Sequence, residues 1–143
     1  MLQTSWLFWA VLSAVFAAMT AILTKLGVNT INSDFATFIR TCVILVLVGG
    51  IAYFGKQFQP LSEVSTKGLA FLVLSGIATG LSWLCYFRAM SLGQASQVAP
   101  IDKMSVVIVA VIGALALGEQ LSTINWMGVI LITAGVILVA WQA

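Results

Sequence analysis

FATFIRTCVILVLVGGIAYF, residues 35–54, is the stretch that decides the fold. Its length matches the roughly 20 residues that a helix rising 1.5 Å per residue needs to cross the hydrocarbon core of a bilayer. A single formal charge, on Arg40, interrupts an otherwise apolar run. In lipid no water is at hand to satisfy backbone N–H and C=O groups, and a helix satisfies them within its own segment. The stretch therefore reads as a transmembrane helix.

Working outward, runs of the same kind occupy residues 6–27, 68–87, 99–117 and 124–141. Short polar connections separate them. Asn29, Asn32, Ser33 and Asp34 lie between the first two runs, with Ser33 or Asp34 placed to cap the second helix. The longest connection, residues 56–67, contains Pro60, and residues 91–97 follow the third run. Pro100 falls in the first turn of the fourth helix, where its missing N–H costs least, and Gly118, Glu119 and Gln120 end that helix. The expected fold is an all-α membrane protein, one domain of five transmembrane helices over residues 1–143.

Composition agrees and narrows the function. Hydrophobic residues make up 62% and charged residues 7%, where a soluble domain carries about 25% charged residues; mean hydropathy is +1.14. The net charge of +2 is dispersed, so no basic stripe for nucleic acid exists. There is no His, and Cys42 and Cys85 both sit inside apolar runs. The usual zinc sites and the Ser-His and Cys-His nucleophiles are thereby excluded, and no catalytic residue, metal or cofactor is expected. No Lys or Arg precedes the first run, which is too long for a signal-peptide core, so it is expected to be a retained helix. Trp6, Trp9, Trp126 and Trp141 lie near run ends, as headgroup-level anchors do.

The charges are concentrated. Lys25, Arg40, Arg88, Asp102 and Lys103 gather at one end of four of the runs. A charge at the centre of a membrane helix costs roughly 2.5–3.5 kcal/mol and marks function by default. Lys25, Arg88 and Lys103 are close enough to the interface to snorkel. Arg40 lies about 9 Å into its span at 1.5 Å per residue and needs a partner, Asp102 or the substrate. Lys103 does not share a helical face with Asp102, which leaves Asp102 to pair with Arg40 or Lys25.

Trp83, Tyr86, Phe87 and Met90 recur at helical spacing on the third run. The N–H of Trp83 and the O–H of Tyr86 suit a substrate cavity, whereas Phe87 and Met90 read as packed or lipid-facing. Gly76 with Gly80, and Gly128 with Gly135, read as packing contacts between helices. Glu119 reads as a helix-end residue and Glu63 as a solvated loop charge.

An odd number of spans puts the two termini on opposite faces of the membrane. With the N-terminus in the cytoplasm, Lys56 and Lys67 are cytoplasmic while Lys25, Arg40, Arg88 and Lys103 fall towards the outside. The loops thus favour one orientation and the span ends the other. A chain with such a bias can insert both ways, and two copies paired head to tail would form an inverted repeat with a substrate path between them.

The stretches Ser82-Trp83-Leu84-Cys85-Tyr86-Phe87-Arg88-Ala89-Met90, Val98-Ala99-Pro100-Ile101-Asp102-Lys103 and Leu117-Gly118-Glu119-Gln120-Leu121 resemble the second half of an EamA-type domain, of the drug/metabolite transporter superfamily. Thr24-Lys25, Asn32-Ser33-Asp34 and Thr37-Phe38-Ile39-Arg40 match its first half. Larger members carry two inverted five-span units in one polypeptide, so a single unit implies an antiparallel homodimer. The last run, Gly128 to Val136, also resembles the dimer-joining helix of the small multidrug resistance relatives. Those relatives carry a membrane-embedded Glu in the first span, where this chain has no acid. The resemblance therefore does not carry proton-coupled export of hydrophobic cations over to it.

The sequence as a whole leads to a secondary transporter of a small metabolite or drug-like solute in the plasma membrane. Lys25, Arg40, Trp83, Tyr86, Arg88, Asp102 and Lys103 are its expected binding or gating residues. The alternative is a membrane subunit that transports nothing itself and pairs with another membrane protein.

Overall fold

A computed structural model describes residues 6–141, which are helical apart from their connections. The helices are α1 (Trp6–Gly27), α2 (Ser33–Phe54), α3 (Thr66–Leu92), α4 (Ala95–Asp102), α5 (Met104–Ala116) and α6 (Thr123–Ala140), with a 3-10 turn at Leu61–Glu63. With α4 and α5 taken together as Ala95–Ala116, five segments are long and apolar enough to cross a membrane. Large apolar side chains such as Leu45, Val46 and Leu131 are exposed along these helices. In a bilayer that exposure costs nothing, because lipid tails are as apolar as Leu. Hydroxyls inside the spans are satisfied locally: Thr37, Thr41, Thr79 and Thr133 each donate to the carbonyl four residues earlier.

The ends differ in detail from the sequence reading. The N-cap of α2 is Asn32, not Ser33 or Asp34: its Oδ1 accepts from the amides of Asp34 at 2.9 Å and Phe35 at 3.3 Å. Ser33 and Asp34 are the first helical residues, which leaves the Asp34 carboxylate free for another role. α3 continues past Phe87 to Leu92, because no breaker intervenes before Gly93. At 27 residues it is about 40 Å long and exceeds the roughly 30 Å core, so its ends reach the headgroup layers.

The fourth span is broken. Pro100 lacks an N–H and its ring displaces the carbonyl one turn back. Two three-residue turns follow, Lys103 N–H to Pro100 O and Val106 N–H to Lys103 O, both at 3.0 Å, and α5 starts afresh at Met104. At the other end of α5, Gly118 takes a φ of 71°, which the Glu119 amide uses to reach the Gly113 carbonyl at 3.0 Å. Glu119 is the helix-end residue expected: its carboxylate folds back over Gly113, 2.7 Å from where a Cβ would stand.

The chain forms two compact units. One comprises the residues up to Ile22 and those from Leu92 onward, and in it α4 and α5 both pack against α6. The other runs from Leu23 to Ser91, from the last turn of α1 through α2 and α3. Its buried side chains, Thr24, Val28, Thr37, Phe87 and Met90, come from the end of α1, the start of α2 and the end of α3. A Cβ added on Gly76, Gly80, Gly128 or Gly135 would meet no atom of the described residues within 4 Å.

Asn32→Ala removes the acceptor of two first-turn amides and is expected to cost about 1 kcal/mol. A lowered midpoint in thermal unfolding of the detergent-purified protein checks it. Ser33→Ala, at the position first expected to cap, should shift the midpoint by less.

Candidate functional site

The Leu23–Ser91 unit brings three of the expected charges to one end of its helices. Lys25, in the last turn of α1, donates from Nζ to the Met90 carbonyl at 2.8 Å. That carbonyl is among the last four of α3 and has no partner within its own helix, so the ammonium fills a vacancy that every helix end leaves. Met90 is fully buried beneath it. Lys25 thus ties α1 to α3 rather than snorkelling alone.

Arg88 donates from its guanidinium to both carboxylate oxygens of Asp34, at 3.1 and 3.4 Å. This pair links the start of α2 to the end of α3, and both side chains are more than half exposed. An exposed pair contributes about 0–1 kcal/mol, so it can open at small cost.

Arg40, on α2, belongs to the same unit. Its guanidinium carbon stands 4.5 Å from the Trp83 ring centre and 5.4 Å from that of Phe87, inside the range of a cation–π contact. Trp83 and Phe87 are one turn apart on α3 and share a face, which is why both reach the same cation. Among the described residues the ion pairs are Arg88–Asp34 and Lys103–Asp102, so Arg40 is not held by an acidic side chain. The Asp102 expected as its partner is bound to its own neighbour instead.

Beside Arg40 opens a pocket of about 260 Å³, lined by Leu23, Thr24, Val28, Ile31, Ile39 and Phe87 among others. All of its walls belong to this one unit. Apart from the guanidinium and the Thr24 hydroxyl it is apolar. Phe87 is 3% exposed and serves both as wall and as ring contact. Tyr86 lies next to it, with ring centres 6.5 Å apart at a steep angle, and does not line the pocket.

Asp102 and Lys103 belong to the other unit. Lys103 Nζ stands 3.3 Å from Asp102 Oδ2. The expectation that consecutive residues point apart fails here because the helix breaks between them, and Lys103 sits in the turn rather than on a helical face. Both side chains lie at a point where a spanning helix is interrupted, as in the discontinuous helices of transporters.

Sequence reasoning assigns Asp34 to capping and so misses its pairing with Arg88; Phe87 is packed, as its reading has it, and in addition walls the pocket and meets Arg40. The signal for Phe87 was its place one turn after Trp83. For Asp34 it was Asn32, two residues earlier, which caps just as well. The groups of Cys, Asp and Glu that a metal ion would need are absent among the described residues.

The model of the EamA-like transporter family matches residues 4–141. A relative from Sinorhizobium sp, named an uncharacterized transporter in the cobO 3' region, is 55% identical over 97% of this chain and 99% of its own length. The uncharacterized transporter YxxF of Bacillus subtilis (strain 168) is 25% identical over 96% of this chain, which spans 43% of that protein. No solved structure matches. The chain is thus an integral multi-pass membrane protein, and it belongs to the EamA-like transporter family.

Proposed function

We propose that this transporter works by alternating access as an antiparallel homodimer in the plasma membrane, carrying a small metabolite or drug-like solute. The observation that carries the reading is the pocket beside Arg40, an apolar recess formed by three helices with one charge at membrane depth. Charges at that depth are costly, face bundle interiors or cavities, and mark substrate paths.

Two observations support the pairing. The chain spans 43% of the Bacillus transporter it matches, so that protein has room for a second unit of the same size. The small-residue faces of α3 and α6 stand open around Gly76, Gly80, Gly128 and Gly135, where another backbone can come close. In an antiparallel pair each membrane face receives one set of Lys25, Arg40, Arg88, Asp102 and Lys103. The Arg88–Asp34 tie closes one face while its counterpart opens the other, and the solute occupies the pocket walled by Ile39, Arg40 and Phe87, with Trp83 behind the guanidinium. The broken span at Asp102-Lys103 supplies a hinge for the exchange.

Single cysteines at Ser62 and Ser96, with Cys42 and Cys85 replaced, test the pairing. Each is expected to be labelled from both sides of the membrane. Labelling from one side only would remove the inverted pair and favour a membrane subunit that needs a different, oppositely oriented partner.

The gate is tested by exchange of charges. Asp34→Arg and Arg88→Asp alone should each depress solute counterflow in proteoliposomes, and the double variant should recover much of it. Equal loss in all three would discard this pair as a gate. Asp102→Asn, which frees Lys103, is also expected to slow counterflow while leaving the dimer folded.

A further inference from the structure

We infer that the Arg40 pocket takes a small organic monoanion, a single oxyanion group carried on an apolar or aromatic frame. The inference rests on reading that pocket as the solute site and names the class of solute.

The charge balance of the Leu23–Ser91 unit leads there. Its positive groups near the pocket are Lys25, Arg40 and Arg88, and the acid at that end, Asp34, is bound to Arg88. Glu63 belongs to the 3-10 turn after α2, at the opposite end of that helix from Asp34. Arg40 itself meets two aromatic rings. Rings offset part of its charge, but they present no oxygen to the five N–H donors of a guanidinium. A half-buried guanidinium with donors to spare, facing an apolar recess, is completed by a ligand that brings the oxygens.

The other features fix the kind of ligand. Of these cations Arg40 alone lines the pocket and meets one negative charge there, whereas the second charge of a dianion would lie against apolar walls. A cationic solute would face a like charge, and a neutral one would leave the guanidinium unsatisfied. The walls of Leu23, Val28, Ile31, Ile39 and Phe87 call for a hydrocarbon or aromatic body. The volume of about 260 Å³ lies just under the roughly 300–1,000 Å³ of pockets that hold drug-sized ligands, so that body is small. The net positive field of this end draws anions toward it.

Three benzene derivatives of similar shape separate the charge classes: benzenesulfonate, benzenesulfonamide and benzylammonium. Binding to the detergent-purified full chain is read by titrated thermal shift, and transport by counterflow in proteoliposomes. Saturable stabilisation by benzenesulfonate is expected, with neither the neutral nor the cationic compound matching it. Arg40→Gln should weaken that binding at least about 10-fold, the scale of one hydrogen bond to a charged group, and Arg40→Lys by less. Ala36→Leu, which fills the pocket and leaves the charge, should also weaken it and keeps the test decisive if Arg40→Gln does not fold. Binding of benzenesulfonate that is unchanged by both Arg40→Lys and Ala36→Leu, or tighter binding of benzylammonium, would overturn the inference. Counterflow of benzylammonium alone would overturn the anion class while leaving the transporter standing. Pocket-dependent binding of benzenesulfonate without counterflow of any compound would uphold the anion site and count against its use in transport.

Discussion

The hydrogen bond from Lys25 to the Met90 carbonyl is the constraint on which the rest of the Leu23–Ser91 unit depends. Lipid gives helices little reason to associate through apolar contact alone, so a polar tie in a span end has more to decide there than in water. By fixing the last turn of α1 against the last turn of α3, it brings Thr24 and Val28 to the same recess as Phe87. Phe87 in turn brings its ring to Arg40, and Trp83 follows because it lies one turn away on the same helix. Remove the ammonium and the Met90 carbonyl loses its partner at the end of α3.

The second tie works differently. Arg88 and Asp34 are exposed and weak, with one guanidinium nitrogen shared between both oxygens, whereas Lys25 meets a carbonyl that nothing else in its helix can satisfy. One joint of the site is thus firm and the other easily undone. Arg40 is held by ring contacts that tolerate a slide of its planar head better than a directional hydrogen bond would. The proposed alternating mechanism draws on that combination: a fixed edge, an edge that opens at small cost and a charge that keeps its ring contacts.

How legible this was in the sequence differs by level. The spans were legible because hydropathy reports lipid exposure directly, and the chain's composition leaves helices as the means of crossing. The break at Lys103 is half legible: Pro100 is visible as a breaker, but the apolar run starts at Ala99 and makes it an N-terminal residue, whereas the helix begins at Ala95. The site was legible in its residue types and not in their pairing. Arg40 and Trp83 do meet, while Asp102 turned to Lys103 once the helix opened between them. Asp34 was hidden by its neighbour, since a stretch reading Asn-Ser-Asp offers three caps and only geometry tells which of them is used. Pairing across helices depends on rotation about each helix axis, which a uniformly apolar span does not encode.

Five crossings have a consequence for how such a protein could grow. A chain that crosses an odd number of times hands its end to the face opposite its start. Joining a second copy directly to the first, by nothing more than read-through of a duplicated gene, therefore inserts it upside down with no added helix and no change of signal. A six-span unit so joined would repeat in parallel. The odd count thus makes inversion the default product of duplication.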